Sequence, residues 1–141
     1  MNNIVIADKM GISIPSNMVV MTNKQKEFFY GNIHTELAYT DENENFVICA
    51  IINSKENDEP KGEKRVIQYY QLYRQLVPGF KKGDILYREE ENYNIGVMSY
   101  QSNSLRGKLY NVIAIVDDLK DEYVISMSCG MNISYEKIDV M

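Results

Sequence analysis

Residues 85–129 read ILYREEENYNIGVMSYQSNSLRGKLYNVIAIVDDLKDEYVISMSC. β-branched and aromatic residues recur in four segments, 85–90, 93–101, 108–116 and 122–129, separated by short polar turns such as Glu91-Asn92 and 102–107. Connections this short leave no room for a crossover helix, so the four segments predict an antiparallel meander. Immediately upstream, Val66, Tyr69, Tyr70, Tyr73, Leu76 and Val77 recur every three to four residues over 63–77, which predicts an amphipathic helix ended by Pro78-Gly79. The charged stretch 53–62 before it reads as a solvated loop, and 36–40 and 46–52 as two strands joined by the polar turn 41–45. Thr22 followed by Gln25 forms a capping-box pattern, and Gly31 stands where a C′ glycine belongs, predicting a two-turn helix over 23–30. Ile4-Val5-Ile6 and Ile12-Ser13-Ile14, the second stopped by Pro15, predict an opening hairpin. The expected order is ββ-α-ββ-α-ββββ plus a twelve-residue tail. This is a single α+β domain over 1–141, with helices packed on a largely antiparallel sheet of about six to eight strands.

Strand alternation then divides the meander into two faces. A symmetric hairpin pairing Gln101 with Lys108, and a turn over 117–121 that preserves side-chain parity, place Met98, Tyr100, Leu109, Ile113, Ile115, Tyr123, Ile125, Met127 and Cys129 together. This bulky apolar face is expected to meet the long helix. The opposite face mixes small apolar groups, hydroxyls and tyrosines. It supplies the candidate partner-binding residues Tyr93, Val97, Ser99, Tyr110, Val112, Ser126 and Ser128. Its competing internal covers are the first helix and the tail, where Ile133, Ile138, Val140 and Met141 are available to pack.

Composition narrows the function classes. Apolar residues make up 45% and charged residues 25% of the 141-residue chain, enough for a packed core and unlike a disordered or disulfide-stapled chain. A net charge of −5 argues against nucleic acid and anionic lipid as partners. The start of the chain has no basic n-region and its longest apolar run is Ile4 to Ala7, so the expectation is a cytoplasmic protein with no membrane insertion. Cys49 and Cys129, eighty positions apart in apolar runs, read as buried free thiols.

Known chemistries find little footing. Histidine occurs once, as His34, without a flanking motif that would make it part of a nucleophilic triad. One His and two Cys, in no CxxC or HxxxH spacing, cannot complete a structural zinc site. The run 41–45 imitates the opening of a calcium loop but has Phe46 where glycine is needed and Ile52 where a bidentate Glu is needed. Glu89-Glu90-Glu91 and Asp117-Asp118 read as solvated carboxylates near strand ends. Ser134-x-x-Lys137 lacks the other elements of its hydrolase signature, and no glycine-rich phosphate loop follows a strand. No enzyme activity, catalytic residue, metal or cofactor is therefore expected.

Three phrases in order, Ile12-Ser13-Ile14-Pro15 before a short helix, Gln75-Leu76-Val77-Pro78-Gly79-Phe80 at the end of the long one, and Gly107-Lys108-Leu109-Tyr110-Asn111 opening a late strand, span roughly 11–129. With the element order they resemble the PsbP-like and DcrB-like superfamily, which includes the Ran-binding Mog protein and the Eag-type chaperones of type VI secretion effectors. The resemblance implies a non-enzymatic module that binds a protein partner or client segment; Eag-type members cradle apolar helices. Relatives usually close with a long helix packed on the sheet, whereas here only residues 130–141 remain. A homodimer is a further possibility for the mixed face. The alternative reading is an immunity or inhibitor protein that neutralises a basic toxin, and a small hydrolase stands third.

Overall fold

The structure, a computed structural model, describes residues 2–6, 10–54, 62–105, 107–118 and 120–130. Strands β1 (Asn2–Ile6) and β2 (Met10–Ile14) form the opening hairpin, followed by β3 (Val19–Val20), α1 (Asn23–Tyr30), β4 (Leu37–Thr40), β5 (Phe46–Ser54), α2 (Glu63–Leu76), β6 (Lys81–Glu89), β7 (Asn94–Ser104), β8 (Gly107–Asp117) and β9 (Asp121–Gly130). β1 and β2 pair with each other, and the remaining seven strands make one sheet in the order β3-β4-β5-β9-β8-β7-β6. Every described pairing is antiparallel. The expected α+β architecture is thus present, with both helices packed on a large, open sheet. β3 is an addition: two exposed valines carry no periodic signal.

Local chemistry fixes the helices. At α1 the Thr22 hydroxyl accepts from the Gln25 N–H at 3.2 Å while the Gln25 side chain accepts from the Thr22 N–H at 2.9 Å, so the box satisfies two otherwise orphaned donors. Gly31, at φ 62°, closes the helix and donates its N–H to the Glu27 carbonyl. α2 starts at Gly62, whose N–H donates to the Asp117 carboxylate at 2.9 Å. Gly62 stands at φ 59°, in the left-handed region that favours glycine, and a Cβ there would meet the end of the Tyr87 side chain, 2.4 Å from its hydroxyl. Under the first turn, Val66 is fully buried and a Cβ on Gly96 of β7 would lie 2.8 Å from its own Cβ; the glycine lets helix and sheet approach.

The sheet separates two packed layers. On one side α2 sets Val66, Tyr69, Tyr70 and Tyr73 against Met98, Tyr100, Ile113, Ile115 and Val124. Tyr73 meets Tyr100 edge-on at 5.7 Å, and Phe80 stacks on Tyr100 at 5.2 Å. On the other side Ile12, Ile14 and Met18 cover Phe46, Ile48, Ala50, Val112, Ala114, Ile125 and Met127. Each such buried aliphatic side chain contributes about 1.5–3 kcal/mol.

Two expectations about these faces are corrected. Gln101 pairs with Tyr110, not Lys108; a shift of two residues keeps β7 and β8 in the expected relation. β9 is inverted. Asp117 pairs with Glu122, leaving a connection of four residues, 118–121, where five were expected. The Asp118 carboxylate makes the tighter turn by accepting from the N–H groups of Lys120 and Asp121, both at 2.8 Å. One residue fewer turns every β9 side chain over, so Tyr123, Ile125, Met127 and Cys129 face the β1–β2 hairpin and not α2. Among the described residues the hairpin, and not α1, covers the mixed face; α1 packs Phe29 and Tyr30 over Cys49 and Ala38, on the α2 side. The tail positions Ile133, Ile138, Val140 and Met141, the Ser134/Lys137 pair and residues 55–61 of the solvated loop lie outside the described residues.

Candidate interaction surface

Several polar side chains weighed for chemistry have structural partners among the described residues. Asp117 corrects the reading of solvated turn carboxylates: it is buried, and besides the Gly62 N–H it accepts from the Asn94 amide at 3.1 Å. Glu122 is buried too and grips Arg65 in a bidentate pair, with N–O distances of 2.6 and 2.9 Å, tying β9 to α2. Arg65 also lies 4.7 Å from the centre of the Tyr69 ring. Asp41 organises the β4–β5 turn by accepting from the N–H groups of Asn45 and Phe46. His34 is exposed, 3.7 Å from Glu36. Among the described residues no group of three or more His, Cys, Asp and Glu is placed to hold a metal ion. No described helix is long and apolar enough to cross a membrane.

Cys49 and Cys129 are buried free thiols. Burial pushes both pKa values up, partly opposed at Cys49 by the Ser126 hydroxyl 3.1 Å away. A nucleophilic thiol needs the opposite shift. Tyr30, whose buried hydroxyl has no hydrogen-bond partner among the described residues, is likewise raised, first by desolvation and then by the Cys49 thiol.

The seven candidate binding residues do not form one surface. Val112 is 7% exposed inside the hairpin-side core, with Val97 and Tyr110 half-buried around it. Ser99 accepts from the Asp84 N–H at 2.9 Å beside the β6 bulge, and Tyr93 sits partly exposed just before β7. Ser126 and Ser128 lie on the α2 side as a result of the β9 inversion. There Ser128 donates to the Asn111 carbonyl at 2.6 Å, and the Asn111 amide donates to Ser102 at 2.9 Å. Ser128 is half-buried, while its partners Asn111 and Ser102 are buried.

An open surface lies elsewhere, at the end of the α1 side. Val47, Leu109 and Ser128 form the floor of a groove of about 700 Å³. Phe28 and Tyr30 of α1 make one wall, and Leu105 and Lys108 at the β7–β8 turn the other. Phe28 is 74% exposed and Leu105 fully so. The signal for Phe28 was present in the sequence: a two-turn helix packed by one face cannot bury the adjacent Phe28 and Phe29 together, and Phe29 is the one that packs on the sheet. Leu105 had no such signal, because a lone apolar residue in a turn does not reveal what stands opposite.

No protein-family model matches the chain, and no curated protein matches it. Solved structures do. A Pseudomonas aeruginosa protein of unknown function, PA94, described as a putative regulator, superposes with a TM-score of 0.52 at 13% identity, covering 93% of this chain and 83% of its own. LpqN of Mycobacterium tuberculosis, involved in cell envelope biogenesis, gives a TM-score of 0.54 at 12% identity over 83% of this chain and 67% of its own. The likeness is one of fold. At these identities it carries no activity or partner across.

Proposed function

We propose that this chain is a non-enzymatic binding module that holds an apolar segment of a partner protein in the groove between α1 and the β7–β8 turn, in the manner expected of the PsbP-like and DcrB-like superfamily it resembles. The observation that carries the reading is the pair Phe28 and Leu105, two large apolar side chains left in water on opposite walls of one groove. Val47 and Leu109 make the floor largely apolar, while Glu44, Asn45, Ser104, Lys108 and Ser128 supply polar groups around it, a composition suited to an apolar stripe with a polar margin. A client segment seated there desolvates both walls at once, and each wall residue should behave as an energetic anchor.

Phe28→Asp and Leu105→Asp test this. Both side chains are exposed, so both variants should fold with unchanged circular dichroism while binding to the native partner weakens by about thirtyfold or more. Folded variants that retain the partner would overturn the reading. A second reading, an immunity or inhibitor protein directed at a basic toxin, draws support from the net charge of −5. It differs in predicting an association rate that falls steeply with added salt.

A further inference from the structure

β6 ends the sheet, and among the described residues its one strand neighbour is β7. The N–H of Glu90 donates inward to the Tyr93 carbonyl at 2.9 Å. In an antiparallel ladder alternate residues face the same neighbour, so Arg88 and Leu86 also turn their backbone groups toward β7, while Ile85, Tyr87 and Glu89 turn theirs outward. A bulge between Lys82 and Ile85 limits the regular edge to about residues 84–89. Midway along it Leu86 is 65% exposed, at the mouth of a cavity of about 290 Å³ that Met10, Ile12 and Val97 also line.

The charges flanking Leu86 are opposite in sign at equal distances: Asp84 and Arg88, Lys82 and Glu90, Lys81 and Glu91. We propose that two copies of this chain pair through β6, antiparallel about a two-fold axis at Leu86. Because the outward backbone groups belong to odd-numbered residues, a two-fold partner can add only with the axis at a residue and not between residues. With the axis at Leu86, Ile85 exchanges backbone hydrogen bonds with Tyr87 of the second copy, Asp84 faces Arg88, and the two Leu86 side chains meet across the axis. The neighbouring registers are penalised. An axis at Ile85 sets Lys82 against Arg88, and one at Tyr87 sets Asp84 against Glu90. The charges that discourage indiscriminate edge pairing therefore select one register. This contact is separate from the groove at α1 and leaves it open.

Sedimentation equilibrium on the full chain tests the proposal. Wild type should dimerise. Asp84→Lys and Arg88→Asp, each placing like charges opposite one another twice by symmetry, should each raise the dissociation constant about tenfold or more. The double variant, D84K with R88D, restores opposite charges and should return the constant to within about threefold of wild type. Leu86→Lys should give a folded monomer. A wild-type chain that stays monomeric at about 0.1 mM overturns the proposal. So does a dimer indifferent to the single reversals, or a double variant no better than either single one.

Discussion

Val112→Glu distinguishes a covered hairpin-side face from an open one. Val112 pairs with Ser99 on β7 and Met127 on β9 and belongs to the core closed by Ile12, Ile14 and Met18. Replacing it forfeits the burial of a branched side chain, about 1.5–3 kcal/mol, and leaves a carboxylate with no countercharge in an apolar cluster, about 3–5 kcal/mol more. The sum approaches the whole stability of a typical domain, about 5–15 kcal/mol. Each kcal/mol shifts Tm by about 3–5 °C at this chain length, so the variant should melt at least about 15 °C below wild type or lack a cooperative transition. Thermal melts followed by far- and near-ultraviolet circular dichroism measure this. A cooperative melt within a few degrees of wild type would show that the β1–β2 hairpin does not seal this face, and the assignment of the two layers would fail with it.

Tyr73→Asp should cost several kcal/mol, because it puts a charge between the Tyr69 and Tyr100 rings, whereas Gln71→Ala on the exposed side of α2 should stay within about 0.5 kcal/mol in urea titrations. Stability should also fall in alkali. Burial raises the folded-state pKa of Cys49 above 9.0 and of Tyr30, Tyr73 and Tyr100 above 10.0. The folded chain therefore keeps protons that the unfolded chain releases. Their contribution is constant below about pH 9 and is lost as pH rises beyond it, so urea midpoints should drop between about pH 9 and 11; a rising midpoint would contradict the burial of these groups.

Features decided by a few neighbouring residues were legible in the sequence. The capping box at Thr22 and Gln25 and the glycine at 31 bound α1 as expected, and the period of Val66, Tyr69, Tyr70 and Tyr73 identifies the face by which α2 packs. What was not legible depends on single-residue counts in turns and on long-range cover. Asp117 and Asp118 look alike in sequence, yet one is buried under the start of α2 and the other closes the turn that inverts β9. That inversion moved Ser126 and Ser128 away from Val97, Ser99, Tyr110 and Val112, and so dissolved the expected binding face. The hairpin itself was foreseen, but no pattern within Ile12 and Ile14 tells which side of a distant sheet they will cover. The groove at α1 arises from two segments, around residues 28 and 105, that only the folded sheet brings together.

The claim that this groove receives another protein is tested most directly by a photoreactive phenylalanine analogue placed, one site at a time, at Phe28, Leu105 and Gln71 and activated in the native host. Phe28 and Leu105 line the groove, while Gln71 is exposed on α2 away from it. The account predicts that the two groove sites give a cross-link to the same partner protein, mapped by mass spectrometry to one apolar segment, and that the α2 site does not. Cross-links confined to the protein's own chain, or the same products from all three positions, would contradict it.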